Sequence, residues 1–170
     1  MKAFYLLTIL ASAAIFSCTP SSEKRATQTE QRSLDSLKQY REDTKTEVEY
    51  LNPPGETPLP FSAAVRVNEM LYLSGEIGID PKTGKLVPGG IEAETRQTME
   101  NIKAKLEQNG SDLDHVVKCT VFLADIKEWP QLNIVYKPYF KKHFPARSAI
   151  AGSGLAMGAR VEIECVAVLK

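Results

Sequence analysis

The sequence is poor in the residues that build metal and thiol chemistry. Its 170 residues include three cysteines (Cys18, Cys119, Cys165) and two histidines (His115, His143). No CxxC pair occurs, so neither a zinc ribbon nor a dithiol motif is indicated, and no disulfide framework is expected. Two histidines argue against a multi-histidine metal site, and no metal is expected. Neither histidine has a nucleophile motif beside it, which argues against a Cys-His or Ser-His-Asp triad. Net charge is also missing, because 21 Lys and Arg balance 21 Asp and Glu. Such a chain lacks the basic footprint that holds nucleic acid, so no nucleic-acid partner is expected. The glycine-rich link "AGSGLAMGA" has no Lys-Ser or Lys-Thr after it and lacks the final spacing and helix of a dinucleotide fingerprint. Its glycines read as conformational. No repeat of 20–50 residues is visible.

What is present begins with an address. Lys2 is followed by the 13-residue apolar run "FYLLTILASAAIF", too short to span a bilayer comfortably. One reading of residues 1–17 is an ordinary signal peptide cut near that point. The favoured reading is a lipoprotein signal, because "IFSC" places Cys18 at the apolar-to-polar junction, although Phe16 is bulkier than usual there. Cys18 would then carry the lipid, and the mature chain would be exported and held at a bacterial envelope membrane facing the periplasm or exterior. Residues 18–46 form a polar linker, read as a solvated tether. Leu34, Leu37 and Tyr40 recur at helical spacing, so a short surface helix is the lesser reading.

"NPPGETPLP" punctuates the chain, and a domain over residues 47–170 follows. "FSAAVRV" and "MLYLSGEIGI" read as a hairpin split by "NE", "DPKTG" as a turn, and a short strand is expected around Leu86. Thr95, Met99, Ile102 and Leu106 share one face of a helix stopped by Asn109-Gly110. "HVVKCTVFLA" reads as a central strand, with Cys119 as a small core residue. A helix opens at Pro130 and should shorten at Pro138, with Trp129 packing at its entry. "SAIAG" and "RVEIECVAVL" close the chain as strands. The order β-β-(β)-α-β-α-β-β predicts an α+β domain, a mixed sheet with two helices on one face.

Two residues stand out chemically. Arg147, in "FPARSAIAGSG", lies among small and apolar neighbours where a core strand begins, yet a guanidinium keeps its charge. Glu162 shares one face of the last strand with Glu164, while Val161, Ile163 and Cys165 share the other. The strands of Arg147 and Glu162 are separated by the glycine link, so the two side chains are expected to approach one another. The plain reading is a structural salt bridge. The functional reading is a pocket with one fixed cation and one carboxylate, suited to a small anionic substrate.

"YLSGEIGIDPKTGKLV", "QTMENIKAKLEQNGSDLDHVVKCTVFLADI", "FPARSAI" and "VEIECVAV" resemble the RidA (YjgF-type) reactive-intermediate deaminases over residues 47–170. The resemblance implies a chorismate-mutase-like protomer, a barrel-like homotrimer with pockets between subunits, and cofactor-free hydrolysis of 2-imino acids to 2-keto acids and ammonia. It assigns Arg147 to the substrate carboxylate and Glu162 to the attacking water, as the catalytic pair. Ser74, Gly75 and Asn133 are assigned to the pocket. Phe61 stands where the family usually has tyrosine, and Ala149 where many active members have cysteine; both are substrate-binding positions. Ala156 replaces a usual proline and Glu76 a common glutamine. A non-catalytic trimeric binder of small carboxylates is the alternative implied by Phe61 and Ala149. Ribonuclease activity, known among some relatives, fits poorly with neutral charge and few histidines.

Overall fold

The structure is a computed structural model in which residues 20–43, 45–53 and 60–170 are described. The expected signal sequence 1–17 and lipidation at Cys18 fall outside the described residues. The chain divides after Lys45 into two units.

The first unit contains α1, Pro20–Asp43. A solvated tether was the favoured expectation here; a 24-residue helix stands in its place. Its composition explains the difference. Glu, Lys, Arg, Gln, Ala and Leu fill most positions, all good helix formers. The Gln31 amide donates to Asp35 Oδ1 one turn on, at 3.0 Å. Leu34, Leu37 and Tyr40 stay exposed, as the lesser reading of a surface helix has it. Among the described residues no helix is long and apolar enough to cross a membrane.

The second unit is built on a seven-stranded sheet. Its strands are β1 (Val48–Leu51), β2 (Ala64–Val67), β3 (Met70–Leu73), β4 (Glu76–Ile77), β7 (Val116–Leu123), β8 (Ala146–Ala151) and β9 (Val161–Val168). A small ribbon of β5 (Ile79–Asp80) and β6 (Lys85–Leu86) stands apart. The main order is β1-β2-β3-β9-β7-β8, with β4 also paired to β9. Every pairing is antiparallel except β7 with β8. The mixed α+β sheet expected from the sequence is thus present. β1 was not expected, and the run "MLYLSGEIGI" breaks at Ser74-Gly75 instead of forming one strand.

The helices are α2 (Gly90–Gln108) and α3 (Trp129–Tyr136). Thr95, Met99, Ile102 and Leu106 of α2 are fully buried, as their spacing predicts. Gly110 ends the helix with φ +80°, a conformation only glycine takes cheaply. α3 passes into a single 3-10 turn over Lys137–Tyr139, where Pro138 cannot supply the next helical N–H. Both helices pack on one face of the sheet. That face receives Val161, Ile163, Cys165 and Ala167 of β9, all buried, while Glu162 and Glu164 face the other way. Cys119 and Cys165 sit opposite each other in this core as free thiols, their sulfurs 2.8 Å apart.

Ile163 is fully buried at the middle of the most heavily paired strand. Ile163→Ala should cost about 2–5 kcal/mol through lost burial and the cavity left behind. Urea unfolding at fixed protein concentration reads this; a loss under about 1 kcal/mol would mean the site collapses to fill the gap.

Candidate active site

Arg147 lies on β8, an edge strand of the sheet and not a core strand. It pairs in register with Cys119, whose side chain is in the core, so Arg147 projects to the helix side. There its Nη2 donates to Asn133 Oδ1 of α3 at 2.7 Å. The guanidinium carbon lies 4.6 Å from the Tyr136 ring centre and 6.0 Å from that of Trp129. These contacts fix the plane of the fork: a hydrogen bond at one nitrogen and aromatic faces beside it. Asn133 therefore orients the arginine. No carboxylate among the described residues pairs with Arg147. Four of its five N–H donors are left for a ligand or water.

The donors open onto a cleft of about 420 Å³ lined by Ile126, Lys127, Trp129, Pro130, Arg147 and Ala149. Ala149 follows Arg147 by two residues on the same strand, so it shares its face. Beneath lie Tyr136 and Cys119. The Tyr136 hydroxyl is buried, and burial followed by the neighbouring Cys119 thiol pushes its pKa up. It stays a neutral phenol. The Cys119 thiol is held below the usual range by its hydrogen bond with Cys165, against the effect of burial, and the charge of Arg147 adds to the lowering.

Glu162 is elsewhere. It pairs with Phe122 of β7 and Ile77 of β4, on the face away from the helices. β7 separates β8 from β9, so the strands of Arg147 and Glu162 are not neighbours. The expected approach of the two side chains within one protomer does not occur; they lie on opposite faces of the sheet. The sequence interval was real but the strand order was not visible in it.

Gly75 receives the Glu162 carboxylate. A Cβ at position 75 would lie 2.0 Å from Glu162 Oε1 and 2.8 Å from its Cδ. Among the described residues the carboxylate has no hydrogen-bond partner. Ser74 donates its hydroxyl to the Ser62 carbonyl at 2.7 Å, and its N–H to Ala63 at 3.1 Å. It thereby ties down the segment carrying Phe61, which is 55% exposed. The candidate residues fall into two groups: Arg147, Asn133 and Ala149 on the helix side, and Glu162, Gly75, Ser74 and Phe61 around β4 and β9. Sequence reading missed Ile126, Lys127 and Pro130 and gave Trp129 only a packing role. Trp129 directly before Pro130, at the start of a helix, was the signal the sequence offered. Among the described residues no cluster of His, Cys, Asp and Glu could hold a metal.

A seven-stranded mixed sheet with two helices on one face and an unpaired arginine at its edge defines an α+β class with a cation-lined cleft. The endoribonuclease L-PSP family model matches residues 54–169, and the chain belongs to that family, the RidA/YjgF proteins. It is 49% identical over 109 residues to a 2-iminobutanoate/2-iminopropanoate deaminase of Bos taurus, covering 64% of this chain and 80% of the relative. The corresponding human deaminase is 47% identical over 109 residues, with the same coverage. A solved Rid-family protein from Yersinia pestis aligns with a TM-score of 0.68 at 41% identity, over 72% of this chain and all of that one.

Gly75→Ala should destabilise by about 1–3 kcal/mol, the cost of forcing the Glu162 side chain aside. Adding Glu162→Ala should restore most of it, since the obstacle is that side chain. A double-mutant cycle by urea unfolding measures the coupling; additive losses would show that backbone, not Glu162, occupies the space.

Proposed function

We propose that the protein hydrolyses reactive 2-imino acids to 2-keto acids and ammonia, in sites shared between copies of the chain. The observation that carries this reading is the divided pair: a fixed, unpaired cation on one face and an unpaired carboxylate backed by glycine on the other. The names of the similar bovine and human proteins support the reaction class.

The sheet face away from the helices supports the assembly. Tyr50, Val65, Tyr72 and Val166 form one apolar row across it, ending at Lys118. Glu162, Phe122 and Ile150 form another. Tyr50, Tyr72 and Ile150 are exposed in the single chain. Apolar faces of this kind usually mark a partner surface. When this face of one copy meets the β8 edge of the next, Glu162 comes to the Arg147 cleft. Two different surfaces then meet, a heterologous contact that closes into a ring. A homotrimer is the ring implied by the family resemblance.

In that site the Arg147 fork binds the substrate carboxylate with two charge-assisted hydrogen bonds. Glu162 of the neighbouring copy accepts a hydrogen bond from a water and takes its proton as the oxygen bonds to the iminium carbon. The C=N electron pair moves to nitrogen, giving a neutral carbinolamine. Glu162 returns the proton to nitrogen; as the C–N bond breaks, an oxygen electron pair forms the C=O bond, the freed Glu162 carboxylate takes the hydroxyl proton, and that proton departs with ammonia as ammonium, leaving the keto acid. Orientation and pre-placed charge provide the acceleration. The residues need no cofactor for these steps. Phe61 and Ala149 offer no polar group, which favours a second reading, capture of small carboxylates without turnover. We also propose export by residues 1–17 and lipidation at Cys18, on the strength of the sequence alone; the label from a radioactive fatty acid should be lost in Cys18→Ser.

Arg147→Ala should lower kcat/KM at least about a hundredfold, as should Arg147→Lys to a lesser degree, since lysine keeps the charge but not the fork. Glu162→Gln should cost about 10²–10⁴-fold. Ammonia release from freshly generated imino acid is the assay. Co-expressed Arg147→Ala and Glu162→Gln chains should regain activity in mixed assemblies, because one interface then holds both intact partners. Loss in the single variants without recovery in the mixture would place both groups in one protomer's site. Full activity in Arg147→Ala would defeat the deaminase reading.

A further inference from the structure

The Arg147 cleft has walls that the carboxylate chemistry does not use. Trp129 is 44% exposed and Ile126 51% exposed, and both line it with Pro130. These are large apolar surfaces left in water beside a cation. Ala149 contributes only a methyl group to the same cavity, so the space next to the guanidinium is open. The Trp129 ring centre is 6.0 Å from the guanidinium carbon, so the apolar wall begins beside the cation.

Size points the same way. At about 420 Å³ the cleft falls within the roughly 300–1,000 Å³ range of pockets that bury drug-sized ligands. An imino acid derived from alanine has six heavy atoms. It would leave most of the apolar wall wet, and a pocket that fits its ligand buries most of it. Lys127 is the remaining lining residue. Its N–H is engaged with Asp125 Oδ1 at 3.0 Å, at the start of the turn before α3. Its exposed ammonium keeps to water while its stem extends the apolar wall.

We infer that this site takes 2-imino and 2-keto acids with bulky apolar side chains, branched or aromatic, and that Trp129 and Ala149 set this preference. Trp129 supplies the flat wall against which the side chain packs, and Ala149 supplies the room. The inference rests on the carboxylate role of Arg147 proposed above. In the deaminase reading, the reaction upstream is then oxidation of branched or aromatic amino acids to their imines. In the capture reading, the same side chains decide which carboxylates bind.

Binding of stable 2-keto acids tests the inference without requiring turnover. The full-length chain in detergent is titrated calorimetrically with pyruvate, 4-methyl-2-oxopentanoate, phenylpyruvate and 2-oxoglutarate. The branched and aromatic acids should bind about tenfold tighter than pyruvate or more, the scale of discrimination that added methylenes give in an apolar pocket. Trp129→Ala and, separately, Ala149→Leu should each shrink that ratio towards one, with native circular dichroism and unchanged assembly mass. Arg147→Ala should abolish binding of every acid. Equal or tighter binding of pyruvate would overturn the inference, as would preference for 2-oxoglutarate, which would assign Lys127 to a second carboxylate. A ratio unchanged in both variants would also overturn it. Absence of imine turnover alongside the expected ratio would defeat the deaminase reading alone.

Discussion

β7 lies between the strand that carries Arg147 and the strand that carries Glu162, and the proposed chemistry depends on that placement. Arg147 and Glu162 also face opposite sides of the sheet, so no internal ion pair forms between them. An internal pair satisfies itself and leaves nothing for a ligand, and its desolvation returns little stability. With β7 interposed, each charge is kept separate and each has a dedicated support. Asn133 and Tyr136 hold the cation from the helix side. Gly75 makes room for the carboxylate. The contacts to Asn133 and Tyr136 hold the guanidinium already in the single protomer.

Much of this was legible in the sequence, and the rest was not for definable reasons. Alternation along "VEIECVAV" correctly sorted Glu162 and Glu164 from Ile163 and Cys165, because side-chain period in a strand is a local property. The apolar spacing of α2 and its stop at Gly110 are local for the same reason. Strand order is not local. Nothing near Arg147 or Glu162 records that β7 sits between them, or that β8 joins it in parallel. β1 was missed because four residues beside a proline-rich segment carry little pattern, and their strand exists by pairing with β2. The helix α1 was underestimated because its polar face all round looks like a linker, while its propensity comes from residues that solvated linkers also favour.

Of the four departures from the family pattern, the two at substrate-binding positions, Phe61 and Ala149, fall in separate halves of the divided site. Ala149 lies in the Arg147 cleft, where it trades a polar handle for space. Phe61 lies on the segment held by Ser74, in the half that contains Glu162. Neither touches the cation or the carboxylate themselves. Their combined effect is to make the surroundings of an unchanged charged pair more apolar.

The sheet also limits how copies can meet. One edge, β1, is four residues long and carries the Glu49–Arg66 ion pair at 2.6 Å. The other, β8, follows Pro145 and presents Arg147 at its second position. Short, charged or proline-bounded edges discourage strand-to-strand addition. The apolar rows through Tyr72 and Phe122 lie on the flat of the sheet instead. Association through the face with protected edges is self-limiting, which suits a closed ring better than a fibre. The arginine on the β8 edge is also the residue proposed to hold the ligand. In the proposed ring, a cation at the edge places the cleft at the boundary between copies, where Glu162 of the next copy would complete it.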